Sequence, residues 1–185
     1  MKKISALLAF LLILGVAFAA SQPIPGKRLE LGTAVHMYTY RYSTDSGSYS
    51  STLLNVPIRL GWYFWQGLEF EPEVLATIPL KGGGAVSYLI SANLFYNFRT
   101  GGKIVPFIGG GAGLGNGIPY VGYVSGDKDI NAVAIDVGGG VKYLIGDLAA
   151  LRVEYRFTRD RLKYDAGDSK NYDIHQVFVG FSIFF

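Results

Sequence analysis

Segments of about ten residues in which apolar and polar side chains alternate recur eight times after the first twenty residues, separated by Gly, Asp, Asn and Ser. Alternation with a period of two is typical of β-strands, because successive side chains point to opposite faces. Eight such segments predict an all-β fold, an eight-stranded antiparallel up-and-down transmembrane β-barrel. We expect its strands at residues 28–42, 52–64, 67–79, 85–98, 104–116, 131–144, 148–161 and 173–185.

The chain ends in HQVFVGFSIFF, in which every second residue from Val177 to Phe185 is apolar. The terminal residues of a protein in water usually fray, so an apolar last strand favours a lipid environment. A soluble β-sandwich would alternate in the same way, but the large aromatic residues favour the membrane. They fall on the apolar face near the short connections, as an aromatic girdle at the headgroups does. The girdle residues are Trp62, Phe64, Tyr96, Phe98, Tyr143 and Phe185.

The first 19 residues have the pattern of a secretory signal peptide. Lys2 and Lys3 precede the apolar run ALLAFLLILGVAF, and Ala17-Phe18-Ala19 fits the small-x-small rule for cleavage after Ala19. A membrane anchor is the alternative, but the run is short for a span of about 20 residues. We therefore expect a cleaved leader at 1–19 and one barrel domain at 20–185.

Composition limits the functions open to the exported chain. Lys2 and Lys3 are two of the 17 basic residues, so the chain without its leader carries 15 basic and 14 acidic side chains. This balance gives no reason to expect nucleic-acid binding. The two histidines and the absence of Cys argue against a metal site, and we expect no cofactor. The glycine clusters at 109–117 and 138–140 fail the G-x-G-x-x-G pattern and fit the curvature of a small barrel.

The connections alternate in length, which indicates an orientation. Short turns follow the second, fourth and sixth strands, and the other connections are mostly longer and polar. Short periplasmic turns and longer extracellular loops are typical of outer-membrane barrels, so we expect both termini in the periplasm of a diderm bacterium. The loops at 117–130 and 162–172 carry Tyr120, Tyr123, Tyr164 and Tyr172, a composition suited to surface contacts with an unidentified partner.

The polar faces of the strands place both signs of charge inside the barrel. An eight-stranded barrel is just wide enough to be filled by side chains, so we interpret these residues as a buried ion-pair plug. A narrow ion path and a pair of catalytic carboxylates are the alternatives. If the second hairpin turns about Trp65, Arg59 lies directly opposite Glu71, and the arginines of the seventh strand reach across to the third. The predicted network is Glu30, Arg59, Glu69, Glu71, Glu73, Asp136, Lys142, Arg152, Glu154 and Arg156.

Three outward residues near the extracellular end are candidates for lipopolysaccharide contact. Arg159 and Arg161 have outward parity, and arginine binds phosphate readily. His175 lies at the expected outer headgroup level, where a His and a Ser could modify lipid A, but Val177 stands where the Ser would be and Thr158 faces inward. We expect no catalytic residue, with a lipid A acyl-modifying enzyme as the alternative.

Two further points concern which side chains point into the barrel. His36 has inward parity and is interpreted as a hydrogen-bonded interior histidine. The facing of the fifth strand is open, because Ile104, Ile108 and Leu114 compete with Val105 and Phe107.

Three stretches, VPFIGGGAGLG, LRVEYRFT and VFVGFSIFF, make the chain resemble the OmpA-like and opacity-type family of small outer-membrane β-barrels. The resemblance implies that the terminal Phe185 is the signal shown to the barrel-assembly machinery. Members of the family act as structural proteins, adhesins and occasionally enzymes. We therefore expect a structural or surface-interaction protein that contacts outer-membrane lipid and lipopolysaccharide, with the enzyme and a narrow solute or ion channel as alternatives.

Overall fold

The structure is a computed structural model and describes residues 27–44, 47–82, 85–98, 100–118, 122–123, 132–163 and 169–185. The predicted signal peptide at 1–19 lies outside these residues. Within the described ranges, no helix is long and apolar enough to cross a bilayer.

Eight antiparallel strands close into a barrel, which confirms the predicted fold class. Around the barrel the order is β1, β10, β9, β8, β5, β4, β3 and β2, so each strand pairs with its neighbours in the chain and β10 closes on β1. β6 and β7 form a separate two-stranded sheet within the connection after β5. The strands are β1 Leu29–Thr44, β2 Gly47–Trp65, β3 Leu68–Lys81, β4 Ser87–Asn97, β5 Ile104–Gly115, β6 Gly117–Ile118, β7 Gly122–Tyr123, β8 Ala132–Ile145, β9 Ala149–Lys163 and β10 Ser169–Phe184.

The wall of the barrel is inverted relative to a soluble protein. On β3 the carboxylates of Glu69, Glu71 and Glu73 are buried, whereas Phe70 and Val74 are exposed on the outside. The same alternation settles the open facing of β5, where Val105 and Phe107 point inward while Ile104 and Ile108 point outward. Apolar side chains that cover the outside while charges fill the inside are typical of a barrel that spans a membrane.

The turn between β2 and β3 sets a register that differs from the predicted one. Gln66 and Gly67 both have positive φ angles, 32° and 91°, as a two-residue type I′ hairpin turn requires. The turn therefore lies one residue beyond Trp65, and the ladder has an irregularity between Tyr63 and Trp65. As a result Arg59 is paired with Glu73, and the predicted pairing with Glu71 is wrong.

Two hairpins are longer than predicted. The segment 43–50, predicted as a loop, is largely paired strand, and its outermost register pair is Thr44↔Gly47. In the neighbouring hairpin of β9 and β10, β10 begins at Ser169 rather than at residue 173. Backbone hydrogen bonds do not depend on side-chain type, so an antiparallel ladder continues beyond the point where apolar alternation stops.

The two described ends of the chain meet at the same edge of the barrel. The Phe185 amide donates to the Leu29 carbonyl at 2.9 Å, and the Arg28 amide donates to the Phe185 carbonyl at 3.0 Å. This edge also carries the short connections β2–β3 and β8–β9. The fold thus defines a short-turn end and an opposite end, and the interior between them holds the candidate site.

Candidate functional site

The ten predicted network residues all face the lumen, and each is at most 7 % exposed. They come from five different strands, β1, β2, β3, β8 and β9, whose inward-facing residues share the same narrow space. Nine of them form ion pairs with one another: Glu30, Arg59, Glu69, Glu71, Glu73, Lys142, Arg152, Glu154 and Arg156.

Two arginines of β9 cross the whole lumen to β3, which lies four strands away in either direction around the barrel. Arg152 places Nη1 2.5 Å and Nη2 3.2 Å from the two carboxylate oxygens of Glu71. Arg156 places Nη1 2.6 Å and Nη2 2.9 Å from those of Glu73. Both pairs are bidentate, the strongest geometry between a guanidinium and a carboxylate.

Glu154 is the centre of the network, since it lies between Arg152 and Arg156 on the inward face of β9. It accepts hydrogen bonds from Arg152 Nε at 3.0 Å and Arg156 Nε at 2.8 Å. Arg59 of β2 adds a third guanidinium, with Nη1 3.1 Å from Glu154 Oε2 and Nε 2.7 Å from Glu73. Three arginines on one buried carboxylate join β2, β3 and β9 into one unit.

A second group lies toward the short-turn end, around Lys142 of β8. Its ammonium nitrogen is 2.6 Å from Glu30, 2.9 Å from Glu69 and 2.8 Å from the hydroxyl of Tyr63. The Tyr63 hydroxyl donates to Glu30, and Asn97 Nδ2 donates to Glu69 at 2.9 Å. Sequence reasoning missed Tyr63 and Asn97, although their inward parity on β2 and β4 was a usable signal.

Aromatic rings enclose the cations of this network. The Arg152 guanidinium lies 4.5 Å from the centroid of the Phe107 ring. Phe178 of β10 lies 5.2 Å from the Arg156 guanidinium and 5.5 Å from that of Arg59. Such contacts stabilise a desolvated cation through the negative face of the ring. Aromatic contacts and ion pairs thus surround the same three guanidiniums, those of Arg59, Arg152 and Arg156.

One group of carboxylates has the spacing of a cation site. Oxygens of Glu30, Glu69 and Glu71 all lie within 4.8 Å of one another. Lys142 and Arg152 already contact these three side chains and supply the positive charge. The arrangement therefore fits an internal ion-pair cluster better than a metal site.

The upper part of the lumen, on the side away from the short turns, contains apolar side chains in place of ion pairs. An apolar layer lies there, formed by Ala34, Leu75, Leu89, Ala134 and Phe178.

Three polar residues of this upper part lack the partners found below. Asp136 faces the lumen outside the nine-membered network, and its Oδ1 has no hydrogen-bond partner among the described residues. Neither carboxylate oxygen of Asp160 and neither amide atom of Gln176 has one. Asp160 and Gln176 are 0 % and 2 % exposed, so these are buried polar groups of the kind that proteins usually satisfy.

The predicted girdle residues all lie on the outside near the short-turn end. Trp62 and Phe64 of β2 pack with ring centroids 5.8 Å apart, and Tyr96 and Phe98 pack edge to face at 4.9 Å. Tyr143 and Phe185 are about half exposed on the same surface.

The outer candidates Arg159, Arg161 and His175 are all exposed on the outward face of β9 and β10. Arg159 forms a two-point ion pair with Asp173, at 2.7 and 2.8 Å, which the sequence reasoning did not anticipate.

The other two outer candidates have neutral partners. Arg161 Nη2 lies 3.2 Å from Ser169 Oγ. His175 Nδ1 lies 2.6 Å from the Tyr155 hydroxyl. Thr158 is buried and has inward parity, so the hydroxyl beside the histidine is that of a tyrosine.

Two further predictions have different outcomes. His36 lies on the inward face and its Nδ1 is hydrogen-bonded to the Val177 carbonyl at 2.9 Å, as predicted. Tyr172 was expected in a loop but lies in β10, half-buried against Ala132 and Leu162, so that prediction was wrong. Tyr120 and Tyr164 lie outside the described residues.

Comparison with known proteins shows likeness in fold alone. No protein-family model matches the chain, and no curated protein matches it. The structure is similar to that of Neisserial surface protein A, with a TM-score of 0.58 and 18% identity, covering 85% of this chain and 96% of that one. It is also similar to the N-terminal β-barrel domain of Pseudomonas aeruginosa OprF, with a TM-score of 0.56 and 12% identity, covering 86% and 98%. The fold is therefore that of small eight-stranded outer-membrane β-barrels.

Proposed function

We propose that the protein is a non-enzymatic integral protein of the outer membrane, closed to solutes, that acts through its extracellular surface in a structural or surface-interaction role. The observation that carries the proposal is the cross-lumen pairing of Arg152 with Glu71 and of Arg156 with Glu73. All four side chains are at most 3 % exposed, which supports a lumen that water and ions do not cross.

Closure is tested by conductance of the purified protein in planar bilayers. We expect a silent membrane with the wild-type chain. The double substitution Glu71→Ala with Arg152→Ala removes both partners of one pair, so no buried charge is left uncompensated, and it should produce small steady openings. Thr158→Val, which alters a buried hydroxyl outside the network, is the matched control and should stay silent. Conductance by the wild-type chain, with folding verified by heat-shifted gel mobility, would contradict the proposal.

The surface role is tested on the connections 124–130 and 164–168, which lie between the described strand ends. Replacing both with Gly-Ser linkers of the same length should remove adhesion of producing cells to a cell-coated surface. The barrel itself should assemble unchanged, because β8, β9 and β10 keep their pairing. Adhesion at the wild-type level after both replacements would sink this part of the proposal.

We infer that lipid is the second partner, contacted through the outer part of β8 and β9. An apolar groove of about 270 Å³ lies there, with Ile108, Val137, Gly139, Tyr155 and Phe157 in its lining. Gly139 lacks a side chain, which leaves room for an acyl chain. The groove shares Tyr155 with the hydrogen bond to His175, which supports a headgroup at that level. Arg161 would then contact lipopolysaccharide phosphate, and Arg161→Ala should lower the amount of lipopolysaccharide that copurifies.

Orientation and assembly complete the proposal. In an outer membrane, the short-turn end with both termini faces the periplasm, which the girdle at Trp62 and Phe185 supports. The apolar outward row that ends in Phe185 supports recognition by the barrel-assembly machinery. Deleting Phe185 should reduce the folded fraction in cells without changing the fold of protein refolded in detergent.

A further inference from the structure

The barrel wall is unevenly paired where it closes. β1 and β10 share six register pairs, from Glu30↔Phe184 to Val35↔Val179, whereas every other seam of the barrel has at least nine. Beyond Val35, β1 continues to Thr44 paired with β2. Beyond Val179, β10 continues to Ser169 paired with β9. Within the described residues, the β1–β2 hairpin and the β9–β10 hairpin therefore separate beyond the pair Val35↔Val179.

The separation begins inside the apolar belt. Six residues of a tilted strand rise about 15 Å, whereas the apolar band of an outer-membrane barrel is about 25 Å tall. Met37 and Val177, which flank the open part of the seam, are 64% and 51% exposed on the outside. Unpaired strand edges facing hydrocarbon are costly, since lipid chains offer no hydrogen bonds. The open part of the seam therefore calls for an occupant that can form hydrogen bonds.

Two inward side chains at the opening offer such bonds. A carbonyl only accepts, so His36 Nδ1 carries the hydrogen in its 2.9 Å bond to Val177, and the Nε2 of the neutral ring is an acceptor. This Nε2 is buried and has no partner among the described residues. Gln176, the neighbour of Val177, adds an unpartnered amide oxygen and an unpartnered amide nitrogen. At this edge the Val177 carbonyl is hydrogen-bonded to the His36 side chain. Three nearby polar atoms, His36 Nε2 and the amide oxygen and nitrogen of Gln176, have no partner among the described residues.

The chemistry of the opening is neutral. The ring of Phe178 lies 5.6 Å from that of His36, and Phe178 is also the ring packed on the guanidiniums of Arg59 and Arg156. Phe178 thus lies between the opening and the ion pairs. An occupant would meet an imidazole, an amide and apolar walls, which match hydroxyl or ester groups better than a charged headgroup.

We propose that the open part of the β1–β10 seam, formed by His36, Met37, Gln176 and Val177, is a lateral binding site for a neutral single-chain amphiphile of the outer leaflet. The polar head, of the monoacylglycerol class, enters between the strands. A hydroxyl donates to His36 Nε2, and the Gln176 amide binds a second hydroxyl or the ester. The acyl chain stays in the membrane against Met37 and Val177.

The first test is photolabelling of the full barrel in phosphatidylcholine vesicles with a monoacylglycerol that carries a diazirine in its acyl chain. We expect saturable labelling concentrated on the peptides around Met37 and Val177. Gln176→Leu removes no hydrogen bond within the protein, so it should fold, and it should lower the labelling about fivefold to tenfold. Thr158→Val, a buried polar side chain on the neighbouring strand, should label as the wild type does.

Labelling spread evenly around the barrel, or unchanged by Gln176→Leu, would overturn the proposal. If the Gln176 amide bound no amphiphile, Gln176→Leu would leave the labelling unchanged.

A second measurement tests the opening itself without the ligand. The natural chain has no Cys, so cysteine pairs can be placed freely. Val35→Cys with Val179→Cys joins the last register pair and should oxidise readily. Met37→Cys with Val177→Cys continues the same register by two residues and should oxidise at least about tenfold more slowly, because the edges have separated. Equal oxidation rates would mean a closed seam, and the site would have to be abandoned.

Discussion

The two halves of the lumen differ in how their buried polar side chains are paired. Toward the short-turn end, nine charged side chains are joined by ion pairs, and Glu154 is contacted by three arginines, although single atoms of Glu30, Arg59 and Glu69 have no hydrogen-bond partner among the described residues. On the far side of Phe178, both carboxylate oxygens of Asp160 and both amide atoms of Gln176 have no partner among the described residues. The lower half thus holds an ion-paired cluster, whereas Asp160 and Gln176 in the upper half have no such pairing among the described residues.

The contrast shows where function should be sought in such a barrel. Breaking a satisfied buried network costs stability, whereas removing an unsatisfied buried group costs none and can even gain it. The same chemical change should therefore have opposite effects in the two halves.

The largest effect is expected from Glu154→Gln in the lower half. The amide keeps the size of the side chain but loses the charge, so three buried guanidiniums lose their shared partner. We expect the free energy of unfolding to fall by about 3–5 kcal/mol. The measurement is the urea midpoint of the barrel in detergent, followed by tryptophan fluorescence and gel mobility. A change no larger than that of Arg159→Ala, whose ion pair is exposed to solvent, would mean that the network adds little to stability.

An intermediate effect is expected where the network is packed most closely against the backbone. A Cβ atom on Gly61 would lie 2.0 Å from Glu69 Oε1, so Gly61→Ala must push this carboxylate away from Lys142. We expect a loss of about 1–3 kcal/mol in unfolding free energy. Gly32→Ala is the matched control, since its Cβ would lie 3.0 Å from Ser182 Oγ and outside the ion pairs. Equal losses for the two variants would remove the special role of Gly61.

The smallest effect, and the one of opposite sign, is expected from Asp160→Asn in the upper half. Asp160 lies on the same strand and the same face as Glu154, but its carboxylate has no hydrogen-bond partner among the described residues. Replacing a buried carboxyl group that has no hydrogen-bond partner with a neutral amide should raise the free energy of unfolding by about 1 kcal/mol. The same urea titration measures it. A loss of stability would show that Asp160 has a partner in the folded protein and that the two halves are alike.

Much of the lumen could be predicted, because parity is a local property. A residue two positions along a strand points to the same side, so the inward position of Glu69, Glu71 and Glu73 followed from their spacing alone. The same rule placed Trp62 and Phe64 on the outside. His36 was placed inside by it as well.

The pairing of residues across neighbouring strands could not be predicted from parity. The assumed turn at Trp65 was one residue short, which moved Arg59 from its true partner Glu73 to Glu71. A type I′ turn requires positive φ angles at both central residues, and a Gln at position 66 does not indicate a positive φ. Tyr63 and Asn97 were missed for a related reason, since an uncharged side chain is recognised as part of an ionic network only when its neighbours across the lumen are known.

The sequence by itself determined that eight alternating strands present an apolar outside and a charged inside, because a period of two is written residue by residue along each strand. Only the tertiary structure decided which charges meet, that Phe178 divides the lumen, and that β1 and β10 close over six pairs. These features depend on the stagger of strands around a closed barrel. Stagger is a sum of turns, bulges and hairpin lengths distributed over the whole chain, so no single segment contains it.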